Sequence, residues 1–221
     1  MATYLDRILQ RHRESAALDR RSVADLTVEA LACAPARGFR ARVEADATSA
    51  LAVISEIKRR SPSKGALAPD LNPAELARLY EFAGASCVSV LTDQEFFGGS
   101  VEDLQMARAA TNVPVLRKDF TVSLQDVCDT RVMGADCVLL IAAALDDEEL
   151  REFANLATRI GLDVLVEIHD ESELERALNV GAMLIGVNQR DLVTFEVDHD
   201  RARRMANRIP EGIVRVAESG V

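Results

Sequence analysis

The stretch Val53-Ile54-Ser55-Glu56-Ile57-Lys58-Arg59-Arg60-Ser61-Pro62-Ser63-Lys64-Gly65 begins as an apolar strand and ends as a polar turn. Glu56 and Lys58 stand two residues apart, a spacing that puts both side chains on one face of a strand. A strand of a parallel sheet, buried on both faces, reads as nearly unbroken Val, Ile and Leu. Here that run breaks into opposite charges just where the chain leaves the strand. A single Glu-x-Lys of this kind describes a solvated strand end with a surface ion pair, worth about 0–1 kcal/mol. What raises its significance is that later strands end the same way.

Working outward, an αβ unit recurs. Phe82-Ala83-Gly84-Ala85-Ser86-Cys87-Val88-Ser89-Val90-Leu91 resembles Val132-Met133-Gly134-Ala135-Asp136-Cys137-Val138-Leu139-Leu140-Ile141 and Val180-Gly181-Ala182-Met183-Leu184-Ile185-Gly186-Val187. In each, a helix ends at a glycine suited to the left-handed C′ position and an apolar strand follows within three residues. Further strands are expected at Val113–Leu116, Asp163–Val166 and Ile213–Val216. Helices are expected at Pro73–Phe82, Val101–Ala110, Leu124–Met133, Asp147–Arg159, Glu171–Leu178 and about Arg201–Arg208. Strand and helix alternating through short connections predict a parallel α/β fold. Eight such units close a barrel in about 250 residues.

The expectation is therefore a (β/α)8 TIM barrel of one domain spanning residues 1–221, of which the sequence carries seven strands. Residues 1–50 form an N-terminal helical extension and 51–221 hold βα units one to seven, the eighth missing. Within the extension, Leu5, Ile8 and Leu9 share a helical face, one or two helices run from Tyr4 to about Ala32, and an irregular segment follows through Pro35 and Gly38.

Composition narrows the function. Apolar residues make up 48% of the 221 and charged residues 28%, enough for a core inside a polar surface. A net charge of −10 argues against nucleic acid or an anionic membrane as partner. Cys33, Cys87, Cys128 and Cys137 form no CxxC pair, and His12, His169 and His199 show no metal-ligand spacing, so buried reduced thiols, no metal and a cytoplasmic location are expected. No leader or membrane span is expected either, since Asp6, Arg7, Arg11 and Arg13 precede any long apolar run. Without a GxGxxG or GxxxxGK[ST] loop, a dinucleotide or nucleoside triphosphate is not expected.

In an α/β barrel the chemistry sits at the C-terminal ends of the strands. Those ends read Glu56 and Lys58, then Arg117-Lys118-Asp119, Glu167, Asn188 with Arg190, and Glu218-Ser219-Gly220. Chance surface charge would fall at both ends of the strands, so its concentration at one end predicts a single polar mouth. Such a mouth fits general acid/base work on an anion. Lys58 and Lys118, brought together, would depress each other's pKa while Glu56 and Glu167 counter the shift, leaving a lysine able to donate near neutral pH. Ser61, Ser219 and Gly220 offer hydroxyl and N–H donors of the sort that hold a phosphate.

The same residues carry a resemblance. Glu56-Ile57-Lys58-Arg59-Arg60-Ser61-Pro62-Ser63 resembles the defining motif of the indole-3-glycerol phosphate synthase family. Val115-Leu116-Arg117-Lys118-Asp119-Phe120, Val166-Glu167-Ile168-His169, Gly186-Val187-Asn188-Gln189-Arg190-Asp191-Leu192 and Ala217-Glu218-Ser219-Gly220-Val221 are similar to its third-, fifth-, sixth- and seventh-strand motifs. The five stand in the family's order over essentially the whole chain. One departure is the family's Pro-Tyr-Gln tract after the third strand, which here reads Leu124-Gln125-Asp126.

The resemblance implies a cofactor-free lyase that closes the indole ring of a phosphorylated substrate in tryptophan biosynthesis. It implies Lys118 as general acid, with Glu167 and Lys58 sharing later proton transfers. Glu56, Asn188 and Arg190 would bind substrate, Ser61, Ser219 and Gly220 its phosphate, and Phe97, Phe120 and Leu192 its aryl ring. A monomer is expected, with fusion to or association with another enzyme of the pathway as an alternative. Two other readings compete: a phosphate-binding barrel isomerase, and a truncated, inactive barrel serving as a binding module. The isomerase would use a Cys/Asp or Asp/Asp pair, and no cysteine here stands at a strand end.

Overall fold

The structure, a computed structural model, describes residues 3–62, 64–191 and 193–220. Three helices open the chain, α1 (Tyr4–Leu18), α2 (Val23–Ala32) and α3 (Phe39–Ala47), and lead into β1 (Ile54–Ile57). A hairpin of two-residue strands, β2 (Arg60–Ser61) and β3 (Gly65–Ala66), follows. The chain then alternates: α4 (Pro73–Phe82), β4 (Cys87–Leu91), α5 (Gln94–Phe97), α6 (Val101–Ala110), β5 (Val115–Lys118), α7 (Leu124–Val132) and β6 (Cys137–Ile141). After a 3-10 turn at Ala142–Ala144 come α8 (Asp147–Arg159), β7 (Asp163–Ile168), α9 (Glu171–Asn179), β8 (Leu184–Asn188), α10 (Arg201–Ala206) and β9 (Val214–Glu218).

Among the described residues, seven strands pair in parallel in the order β1-β4-β5-β6-β7-β8-β9. The sheet curls with helices on its outside into an open (β/α) barrel whose edges are β1 and β9. Gly84, Gly134 and Gly181 all take the positive φ that the repeat requires, each one residue past its helix C-cap.

Helix boundaries follow local chemistry. Pro73 opens α4 behind an Asn72 cap that accepts from the Ala74 and Glu75 amides. Asp146 and Glu149 form a capping box on α8, and Thr3 and Asp6 another on α1. On α8, Leu150, Phe153, Leu156 and Ala157 bury one helical stripe against the sheet.

Two elements escape the sequence pattern. The segment after Gly38 forms α3, where only Phe39 and Val43 are buried, a stripe too narrow to register as a periodic pattern. The turn after Lys58 contains the β2–β3 hairpin, whose strands are too short to show alternation.

The end of the barrel remote from the polar strand ends is tied by Asp136, which has no exposed side-chain surface. Its carboxylate accepts from the Arg37 amide (2.8 Å), the Val115 amide (2.8 Å) and Arg108 Nη2 (3.0 Å). One buried charge thus joins the N-terminal segment, β5 and α6. No helix in the described residues is long and apolar enough to cross a membrane.

Candidate active site

Period-two alternation aims every second strand residue into the barrel. Ile54, Leu116, Leu165 and Val216 line the floor of a cavity of about 530 Å3; two residues later on the same strands, Glu56, Lys118, Glu167 and Glu218 line it too. The interior therefore changes from hydrocarbon to charge within one step along four strands. β6 departs from this, keeping Leu139 and Ile141, and so does β4, which runs from Ser89 to Leu91.

At the centre lies Lys118. Its Nζ donates to Glu167 Oε2 at 2.7 Å and to Glu218 Oε2 at 2.9 Å, joining β5, β7 and β9. Burial works against the ammonium, but the two carboxylates outweigh it and hold the Lys118 pKa well above the ordinary lysine value. This overturns the expectation of a lysine tuned downward by a neighbouring lysine. Lys58 forms its own ion pair with Glu56, and two carboxylates face Lys118.

Burial would raise both glutamates. For Glu167 the Lys118 charge prevails and its pKa falls, with His169 and the amide of Asn188 acting in the same direction. Asn188 Nδ2 donates to Glu167 Oε1 at 2.9 Å. For Glu218 burial prevails, Glu167 adds repulsion, and the pKa is pushed up to about 7.

Glu56, Lys58, Ser61, Phe97, Lys118, Phe120, Glu167, Asn188, Arg190, Ser219 and Gly220 all line this one cavity. Leu192 lies outside the described residues. Phe97 and Phe120 face each other with ring centroids 6.3 Å apart. Arg190 Nη1 donates to the Phe195 carbonyl at 2.9 Å. Ser219 and Gly220 both have positive φ, and a Cβ at Gly220 would come within 2.5 Å of Val197. Neighbouring strand-end residues point elsewhere: Arg59 bonds Asp103 on α6 through two hydrogen bonds, and Arg117 donates outward to Thr92, Thr130 and the Asp126 carbonyl.

Sequence reasoning missed three contributors. Glu218 reads in the sequence as a bare strand end, yet its parity with Val216 aims it inward. Lys64 reaches the cavity from the hairpin. The third is α1, which places Tyr4, Leu5 and Ile8 over the cavity. It is fixed there by three consecutive side chains. Arg11 bonds Glu95, His12 Nε2 stands 2.8 Å from Asp93 Oδ2, and Arg13 binds Glu149 and the Ala144 carbonyl.

His12, Asp93 and Asp119 are close enough to hold a cation. Their oxygens are already engaged, however. Asp93 caps α5 by accepting from the Phe96 and Phe97 amides, and Asp119 accepts from Thr92, Arg117 and the Phe120 amide. The cluster is a clasp for α1.

An open parallel (β/α) barrel with its ionisable side chains gathered at the C-terminal ends of its strands has the layout of a barrel enzyme. A family model described as Indole-3-glycerol phosphate synthase matches residues 5–221, and the chain belongs to that family. Membership places it among enzymes of tryptophan biosynthesis. Among solved structures, the N-acetylmannosamine-6-phosphate 2-epimerase from Clostridium perfringens matches with a TM-score of 0.57. It is 12% identical over 76% of this chain and 75% of that chain, a likeness in fold alone.

Proposed function

We propose that the chain converts 1-(2-carboxyphenylamino)-1-deoxyribulose 5-phosphate to indole-3-glycerol phosphate, carbon dioxide and water. The observation that carries this reading is Lys118, a half-buried ammonium held between Glu167 and Glu218 inside a cavity with an aromatic wall.

Ring closure forms a bond between the aryl carbon bearing the carboxylate and the ketone carbon. The ketone oxygen gains negative charge as it does so, and Lys118 supplies the proton that makes it a hydroxyl. With its pKa raised, Lys118 stays protonated until that charge develops. The ring is left as an iminium, and loss of carbon dioxide returns the C–C electron pair to it, so no external electron sink is required. Dehydration then expels the hydroxyl as water and removes a proton from the adjacent carbon, giving the indole double bond. Glu167 and Lys58 share these transfers, and Lys58 pairs with the aryl carboxylate before it departs. Glu218, titrating near neutrality, can hand a proton to Lys118 once Lys118 has given its own to the substrate.

Glu56 and Asn188 hold the sugar hydroxyls and keep Lys58 and Glu167 in place, Arg190 contacts substrate, and Phe97, Phe120 and Leu192 flank the aryl ring. Ser61, Ser219 and Gly220 bind the phosphate. Incubating the protein with the anilino substrate tests the reading. Appearance of the indole chromophore, lost by on the order of a hundredfold or more in Glu167→Gln, is the expected result. No indole product from the wild-type protein, or full turnover by the variant, would count against it.

A further inference from the structure

His169 follows Glu167 by two residues, so its side chain rises on the same side of the strand, one step further out. Glu173, in the first turn of α9, grips it twice: Oε2 accepts the His169 amide at 2.7 Å and stands 3.1 Å from Nδ1. The ring is thereby fixed with Nε2 facing Glu167 Oε1 at 3.8 Å. That nitrogen is shut off from solvent and has no hydrogen-bond partner. A buried polar atom left unmatched needs a reason.

The two carboxylates supply one. A neutral imidazole donating from Nδ1 to Glu173 would present a lone pair at Nε2 to the Glu167 oxygen, which is repulsive. An imidazolium presents an N–H to each carboxylate. We propose that His169 is a positioning residue that acts through Glu167: as an imidazolium clamped by Glu173, it fixes the Glu167 carboxylate from behind and donates a full hydrogen bond to Oε1 when Glu167 loosens from Lys118 during turnover. The inference rests on the ring-closure reading above and deepens it, adding to that site a residue outside the cavity.

The surroundings agree. Burial disfavours the imidazolium, yet Glu173 and Glu167 together raise the His169 pKa above the ordinary histidine value. Asp170 at the cap of α9, with Glu171 and Asp198, would add negative charge. Asp198 is bonded to Arg204 and Glu171 to Arg208, so these charges largely cancel. Arg201 opposes the proton, but its guanidinium is turned to the Asn188 carbonyl, 3.0 Å away.

Imidazole NMR of the full chain, which has three histidines, reads the coupling directly. The His169 midpoint should lie above an ordinary histidine's and fall clearly in Glu167→Gln, which removes one facing charge. His169→Gln, a neutral donor of similar reach, should lower kcat on the order of tenfold with KM little changed. It should also abolish the loss of rate expected of wild type as pH rises through the His169 midpoint. A midpoint indifferent to Glu167→Gln, or wild-type kcat and pH profile in His169→Gln, would overturn the inference. The NMR needs no turnover, so a wild-type chain that makes no indole product would sink the ring-closure reading while the His169–Glu167 coupling is still decided.

Discussion

Gly186 lacks a side chain where Glu218 needs room. A Cβ at that position would lie 1.9 Å from Glu218 Oε1, yet Gly186 has no left-handed backbone to explain it. The glycine on β8 thus decides where the carboxylate on β9 sits, and through it one of the two contacts to Lys118. Gly186→Ala is expected to push the flexible carboxylate off Lys118, cutting kcat by about tenfold or more while the melting temperature moves little. The two are read from steady-state rates and thermal unfolding. A variant that is fully active would show that the Glu218–Lys118 contact is dispensable. Individual strand-end residues were legible in the sequence because polar side chains interrupting apolar strands are conspicuous. Their pairing was not. Glu218 reaches Lys118 across 100 residues of chain, and only closure of the sheet makes them neighbours.

Among elements, α1 is the one whose role depended on tertiary structure. Leu5, Ile8 and Leu9 marked an amphipathic helix in the sequence, but an apolar stripe does not say what it will cover. It covers the mouth of the barrel, held by Arg11, His12 and Arg13. The His12 bond to Asp93 makes this hold sensitive to pH. Burial disfavours the charged ring, but Asp93 and then Asp119 outweigh it and raise the His12 pKa. A raised folded-state value means that the contact stabilises fully below the unfolded histidine value of about 6.5 and is lost as pH rises through the folded one. Hydrogen exchange of α1 amides, corrected for intrinsic rates, should show protection falling over that window. In His12→Ala protection should be low throughout, whereas pH-independent protection in wild type would rule the clasp out. By contrast α4, α6 and α8 were readable to within a residue at each end, because Asn72, Ser100 and Asp146 stand at their N-caps and each helix packs on the sheet through its own periodic stripe.

For the whole molecule, the βα repeat predicted a parallel barrel and the curled seven-stranded sheet is one. The order of strands was legible because each connection returns the chain to the neighbouring position. The ties that hold the barrel's far end were not, since Asp136 reads in the sequence as a residue between a glycine turn and a strand. Asp136→Ala leaves Arg108 without its carboxylate and two backbone amides without an acceptor, and should cost about 3–5 kcal/mol in denaturant unfolding. A loss under about 1 kcal/mol would mean that water replaces the carboxylate. Stability at one end and chemistry at the other is the division of labour expected of a barrel.

In the proposed reaction Lys118, held between Glu167 and Glu218, delivers a proton to the substrate. Lys118→Arg tests it most directly, because the guanidinium keeps a cation between the two carboxylates but does not release its proton. Turnover of the anilino substrate by this variant, followed through the indole chromophore beside calorimetric binding of the same substrate, should fall on the order of 10²–10⁴-fold with binding retained. Wild-type turnover in Lys118→Arg would contradict the account, since charge alone would then suffice and no proton would need to leave Lys118.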